Sequence, residues 1–316
     1  MRSWLREGGS GASIGLVVAA QTLTHATIAF APLGLGATEA ALAIALGASA
    51  AAGVCVAMLS ATRPLVGTTT ASTALVTGAL LATMRPGSVA EGILLAMMLA
   101  GLAGLVVLAL ARTGLARLAL HIPAPVGAGV TNAAVALILV GQAPVALGLG
   151  PGQAWAPGAV QPASVAVSAL ALAATLRPLP VLPAPLVALA LATLLHHALE
   201  KAGLTVGPTV GVAPQPVHLV EGLQAALGAW HDLPGWAELL AHLPFAALSL
   251  ALMAIAETLT AAAAVREATG RRADPRRDAQ GTGVALLAGG ALGGMPASIL
   301  TSATLACQAQ GGRGRP

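Results

Sequence analysis

The chain has 316 residues, of which 57% are apolar and only 8% charged. Soluble domains carry about 25% charged residues, so this composition excludes an ordinary soluble enzyme and points to one helical membrane domain. Its apolar runs are about 20 residues long and do not alternate, which excludes a membrane β-barrel. The net charge of +4 comes from basic residues scattered over short loops. That scatter excludes nucleic acid as a partner, because no basic patch is interleaved with aromatics.

The predicted spans, in chain order, are 12–32, 37–60, 68–83, 89–111, 123–141, 162–176, 179–197, 243–266, 278–292 and 296–308. Arg2 and Arg6 precede the first, and its apolar stretch is long enough to span and stay rather than be cleaved as a leader. Pro and Gly punctuate the boundaries, as in Arg85-Pro86-Gly87. With the N-terminus inside, Arg2, Arg6, Arg63, Arg112, Arg117, Arg177, Arg266, Arg271, Arg272, Arg276, Arg277, Arg313 and Arg315 fall on the cytoplasmic side. Only Arg85 and Lys201 fall outside. This 13 to 2 split favours that orientation, and 201–242 becomes an external loop with an amphipathic surface helix at 236–242.

Two spans are short. A helix from Thr68 to Thr83 rises about 24 Å and one from Pro296 to Cys307 about 18 Å, against an apolar bilayer core of about 30 Å. Each follows a Gly-containing lead, Arg63-Pro64-Leu65-Val66-Gly67 and Gly293-Gly294-Met295-Pro296. Paired short segments of this kind mark transporter binding sites, where two half-helices start near mid-membrane. The alternative is a pair of tilted helices with glycine packing contacts.

Glu257 stands alone among the apolar residues Leu248 to Val265. A carboxyl at that depth costs about 3 kcal/mol to insert, and such groups usually line an ion or proton pathway. A protonated carboxyl bonded to a neighbouring helix is the structural alternative. Gln21 and His25, four apart in the first span, share a helix face. A lone membrane histidine is more often a helix–helix hydrogen-bond partner than a ligand. Thr68, Thr69, Thr70, Ser72 and Thr73 open the first short span, and Ala297, Ser298, Thr301, Ser302 and Thr304 the second. Hydroxyls in membrane helices often bond to their own backbone, but free N–H groups at a half-helix start favour an anion. His196-His197 presents two rings to different faces, which argues against a metal pair. Cys55 and Cys307 lie in apolar segments and imply neither disulfide nor metal. No nucleophile–base pair or phosphate loop is visible, so neither enzyme activity nor a cofactor is expected.

The run Ala254-Ile255-Ala256-Glu257-Thr258-Leu259-Thr260-Ala261, then Ala268-Thr269-Gly270, Asp274-Pro275-Arg276-Arg277, Gln280-Gly281 and Gly293-Gly294-Met295-Pro296-Ala297 resembles the SulP family of inorganic anion transporters. His121-Ile122-Pro123-Ala124-Pro125-Val126 with Gly129-Val130-Thr131 resembles the start of its fifth helix. Val66-Gly67-Thr68-Thr69-Thr70 resembles the start of its third, where the family usually has proline at the position of Thr68. Asp232-Leu233-Pro234 resembles the loop before its eighth.

The resemblance implies two inverted seven-helix repeats, with core-domain helices in 1–111 and 243–316, gate-domain helices in 112–200, and elevator movement of the core. It places a small inorganic anion, sulfate by default, between the starts of the third and tenth helices. Gln21, His25, Thr68, Thr69, Thr70, Glu257, Ala297 and Ser298 would surround it, with Glu257 tuning coupling. In sodium-coupled relatives an Asp with a hydroxyl one turn later takes that place. Here Ala261 follows, leaving proton coupling or exchange. The family's arginine near the start of the tenth helix falls on Ala303. Its first-helix Pro-Gln pair falls on Thr24-His25. The chain is expected to end after the tenth segment, with neither the last gate helices nor a STAS domain. The implied setting is the lipid bilayer of a bacterial inner membrane, the N-terminus cytoplasmic, with a homodimer compatible. A nucleobase- or benzoate-type permease and a non-transporting remnant or subunit are the alternatives.

Overall fold

The computed structural model describes residues 2–34, 38–114, 160–175, 184–206, 216–233, 235–270 and 274–312, with isolated positions between 129 and 147. Helices α1 (Arg2–Phe30), α2 (Thr38–Leu59), α3 (Ala71–Met84) and α4 (Val89–Thr113) come first. Then come α5 (Pro162–Thr175), α6 (Ala184–Lys201), α7 (Pro216–Gly228), α8 (Trp236–Thr269), α9 (Pro275–Ala291) and α10 (Thr301–Ala309). Strand β1 (Gly67–Thr68) precedes α3, and β2 (Ser298–Ile299) precedes α10. Helical stretches Glu7–Leu33, Ala41–Leu59, Val89–Thr113 and Ala237–Thr269 are long and apolar enough to cross a membrane. The expected fifth span, with its His121–Thr131 motif, and residues 271–273 fall largely or wholly outside the described residues.

Local chemistry sets the helix ends. At α4, the Ser88 hydroxyl accepts from the Glu91 N–H, Glu91 lies in the first turn and Arg112 in the last, and Gly114 closes the helix at φ 79°. Each charge lies at the end of the helix dipole it complements. At α9, Asp274 caps the Arg276 and Arg277 N–H groups and Pro275 takes the first helical position, where no N–H is needed.

In a bilayer, helices associate through close packing, not through expulsion of water. Leu42, Ile44, Leu95, Leu99, Leu250 and Leu286 are fully buried at the core, while Leu16, Val54, Leu105, Phe245 and Leu252 face outward. Helix α9 packs against α2 and α4. A Cβ on Gly104 of α4 would stand 2.9 Å from the Gly283 carbonyl oxygen of α9, so only glycine permits that approach. Gly294, at φ 92°, lays its Cα directly against the α4 backbone at Met97.

The segment 201–242, expected as an external loop, contains α7, whose Leu219 packs beside Gly47 of α2 and whose Ala226 is fully buried. Residues 236–242 are the first turns of α8, with Leu239 and Leu243 in the core, and form no separate surface helix. The Pro and Gly around this segment suggest a loop. Its Leu and Ala nevertheless recur at helical spacing and find an apolar partner only in three dimensions.

Both short spans are entered from extended backbone. β1 and β2 pair antiparallel, Gly67 opposite Ile299 and Thr68 opposite Ser298. The helices start at Ala71 and Thr301, three to five residues after the expected starts, because the leads satisfy their backbone groups across the strand pair first. The pair lies at Thr22, in the middle of the first span. From there the half-helices diverge. Gly78 of α3 packs on the Ile28 and Ala29 carbonyls near one end of α1, and Ser13 near the other end bonds Gln310 beyond α10. α3 has 14 residues and α10 nine. Neither crosses alone, and together they span the bundle from its middle, as inverted repeats require.

Candidate functional site

The strand pair carries a dense set of hydroxyls. Thr22 of α1, Ser49 of α2 and Thr68 of β1 form a buried triangle, with Thr22 and Ser49 3.2 Å apart, Thr22 and Thr68 3.2 Å, and Ser49 and Thr68 2.8 Å. The Thr68 side chain is therefore engaged in joining β1 to two helices. Thr69 links this triangle to the start of α3, its hydroxyl donating to Thr22 Oγ1 at 3.4 Å. Its carbonyl lies 3.0 Å and its hydroxyl 3.3 Å from Nδ1 of His25, so the Nδ1–H tautomer donates to the carbonyl. His25 thereby ties α1 to the lead into α3 and lies beside the start of that helix.

Thr70 caps α3. Its hydroxyl accepts from the Thr73 N–H, and its own N–H donates to the Thr73 hydroxyl at 3.0 Å. Glu257, about two-thirds of the way along α8, reaches this cap. One carboxyl oxygen accepts from Thr70 Oγ1 at 3.2 Å and the other from Ser72 Oγ. Ser298 of β2 donates to the Ala254 carbonyl of α8 at 3.5 Å, one turn before Glu257. Glu257 thus joins α8 to the start of α3 and lies at the helix end where a bound anion gains most.

The remaining expected residues divide. Gln21 has its side-chain Oε1 buried with no hydrogen-bond partner among the described residues. Ala297 is fully buried against Ala52, Val56, Ala261 and Ala285 and forms an apolar floor. Ala261 belongs to that floor and places no oxygen one turn after Glu257. Ala303 packs with Ile14 and Val18. Among the described residues, the hydrogen-bonding side chains at the strand pair include no arginine or lysine.

Sequence reasoning missed Asp278. Its carboxylate is fully buried. One oxygen accepts from the Ala61 and Thr62 N–H groups, both at 2.8 Å, and the other from the Thr62 hydroxyl at 2.6 Å. The first turn of α9 thereby holds the lead into β1. The signal was an acid one turn beyond Asp274-Pro275, but nothing local distinguishes it from a solvated first-turn carboxylate. Ser72 lay within the hydroxyl tract, yet its bond to Glu257 depends on how α8 crosses α3.

The transmembrane domain of a cyanobacterium bicarbonate transporter, BicA, has a similar structure, with TM-score 0.69 and 20% identity over 97% of this chain and 77% of that one. SLC26A9 is similar with TM-score 0.65 and 15% identity over 98% of this chain and 51% of that one. These likenesses establish the inverted-repeat fold with paired half-helices. Comparison with curated proteins finds no match. The model of the sulfate permease family matches residues 10–315, and on that match the chain belongs to the sulfate permease family.

Proposed function

We propose that this chain is a secondary transporter of a small inorganic anion, linked to protons or working by exchange. The bonding of Glu257 to the Thr70 and Ser72 hydroxyls at the start of α3 carries this reading. An ionised carboxylate there repels an anion at the same helix end. A proton on Glu257 removes that charge and frees the hydroxyls to turn toward the anion, so proton and anion binding favour each other. Thr69, Thr70 and Ser298 serve as donors, Gln21 donates through its Nε2–H groups, and His25 holds Thr69. Thr68 and Ala297 form the floor.

Sulfate is the default by family, but the lack of arginine or lysine in the hydroxyl set favours a singly charged oxyanion such as bicarbonate. The cost of desolvating an ion grows as the square of its charge, and fixed positive charge must offset it. The core of the repeats, 1–111 with 243–316, would carry the anion past the gate segment 112–200 in elevator fashion, in an inner membrane with the N-terminus cytoplasmic.

Uptake of labelled bicarbonate and sulfate into proteoliposomes under an imposed pH gradient tests the reading. Accumulation driven by an inward proton gradient supports it. Absence of transport and of binding for both anions, in folded protein, favours a non-transporting subunit.

A further inference from the structure

A separate, basic pocket shares no residue with the strand-pair site. Leu59 at the end of α2, Leu108 and Arg112 near the end of α4, and Asp274, Arg276, Arg277, Gln280 and Val284 around the start of α9 enclose a cavity of about 530 Å3. That volume falls within the range of ligand pockets, about 300–1,000 Å3. Three guanidinium groups face one carboxylate, and Asp274 already spends one oxygen on the Arg276 and Arg277 N–H groups at 3.1 and 3.3 Å. Arg277 donates through Nε to the Leu59 carbonyl at 3.1 Å, which orients its outer nitrogens. Among the described residues, none of the three arginines makes an ion pair.

Depth determines which anion fits. Leu59 and Thr113 end two stretches long and apolar enough to cross a membrane, and Arg112 lies one residue before Thr113. The cavity thus opens where hydrocarbon gives way to headgroups. Its basic side is Arg112, Arg276 and Arg277, and its apolar wall is Leu59, Leu108 and Val284. The wall continues onto Leu105, exposed one turn before Leu108 on the same face of α4. A soluble anion needs no such wall. A phospholipid has an anionic phosphate joined to acyl chains that require one.

We infer that this pocket binds the headgroup of an anionic phospholipid, with its phosphate among Arg112, Arg276 and Arg277 and its acyl chains along Leu59, Leu108 and Val284. One lipid would then clamp α4 of the first repeat to α9 of the second. This inference does not depend on which anion is transported.

The test uses the full chain purified in a neutral detergent, with lipid binding read by native mass spectrometry and melting by thermal shift. Phosphatidylglycerol is titrated against phosphatidylcholine of the same chains, and inorganic phosphate forms a separate arm. Phosphatidylglycerol is expected to bind and raise the melting temperature, and phosphatidylcholine to do neither. Arg112→Gln, Arg276→Gln and Arg277→Gln are each expected to weaken binding about five-fold, and Arg112→Lys to keep most of it. Arg85→Gln, at the opposite end of the bundle, is expected to change nothing. Arg277→Gln also removes the bond to Leu59, so Arg112→Gln and Arg276→Gln decide if it fails to fold. Equal binding of the two lipids overturns the inference, as does binding unaffected by Arg112→Gln and Arg276→Gln. Protection by inorganic phosphate without any by phosphatidylglycerol assigns the pocket to a free anion and overturns it too.

Discussion

Replacing Glu257 by glutamine keeps the side-chain volume and removes the charge. The carboxylate accepts from Thr70 at 3.2 Å and from Ser72 at the start of α3. An anion held by the Thr69 and Thr70 hydroxyls would lie about 5 Å away, and at an effective dielectric constant of about 20 the two charges repel by about 3 kcal/mol. The glutamine amide can still bond one hydroxyl, so the mutation removes the repulsion while keeping part of the contact. Allowing for screening, about 2 kcal/mol remains, or about thirty-fold tighter anion binding in Glu257→Gln at alkaline pH.

The sign with pH follows. Native affinity rises as pH falls, because protonation of Glu257 removes the same charge, and the mutant profile is flat. Titration calorimetry with bicarbonate and sulfate across pH reads both, and proteoliposome uptake adds a third observable. Proton-driven accumulation is lost in Glu257→Gln while anion exchange survives. A well-folded mutant with native affinity and native pH slope would refute the reasoning and leave Glu257 as a helix–helix bond.

Other substitutions separate scaffold from site. Asp278→Ala strands the Ala61 and Thr62 N–H groups, costs about 3 kcal/mol and should lower the melting temperature in detergent by several degrees. Thr68→Val breaks the triangle with Thr22 and Ser49, and about 1 kcal/mol of stability should go, read by thermal shift. Gly104→Val forces α4 away from the Gly283 carbonyl and should cost about 1–3 kcal/mol, read as reduced thermal stability. In a background lacking Cys55 and Cys307, an impermeant thiol reagent on intact cells should label Glu200→Cys and spare Glu267→Cys. The reverse pattern would invert the proposed orientation.

Read alone, the chain reveals the membrane class, the two short spans with their Gly leads, and Glu257 as the lone acid within an apolar helix. Each is a one-dimensional signal: a run of apolar residues, a length below the bilayer thickness, a charge inside that run. The tertiary structure alone decided which groups meet. Thr68 and Thr69 are neighbours in the chain and both hydroxyls reach Thr22, yet Thr68 also meets Ser49 and Thr69 also meets His25, because each partner comes from a helix remote in sequence. Asp278 and Thr62 are 216 residues apart, and only the packing of α9 against α2 brings them to hydrogen-bond distance. For the same reason α7 read as loop. Its apolar positions acquire meaning only once Gly47 and the α4 surface exist to receive them, because burial belongs to the pair of surfaces and not to either sequence.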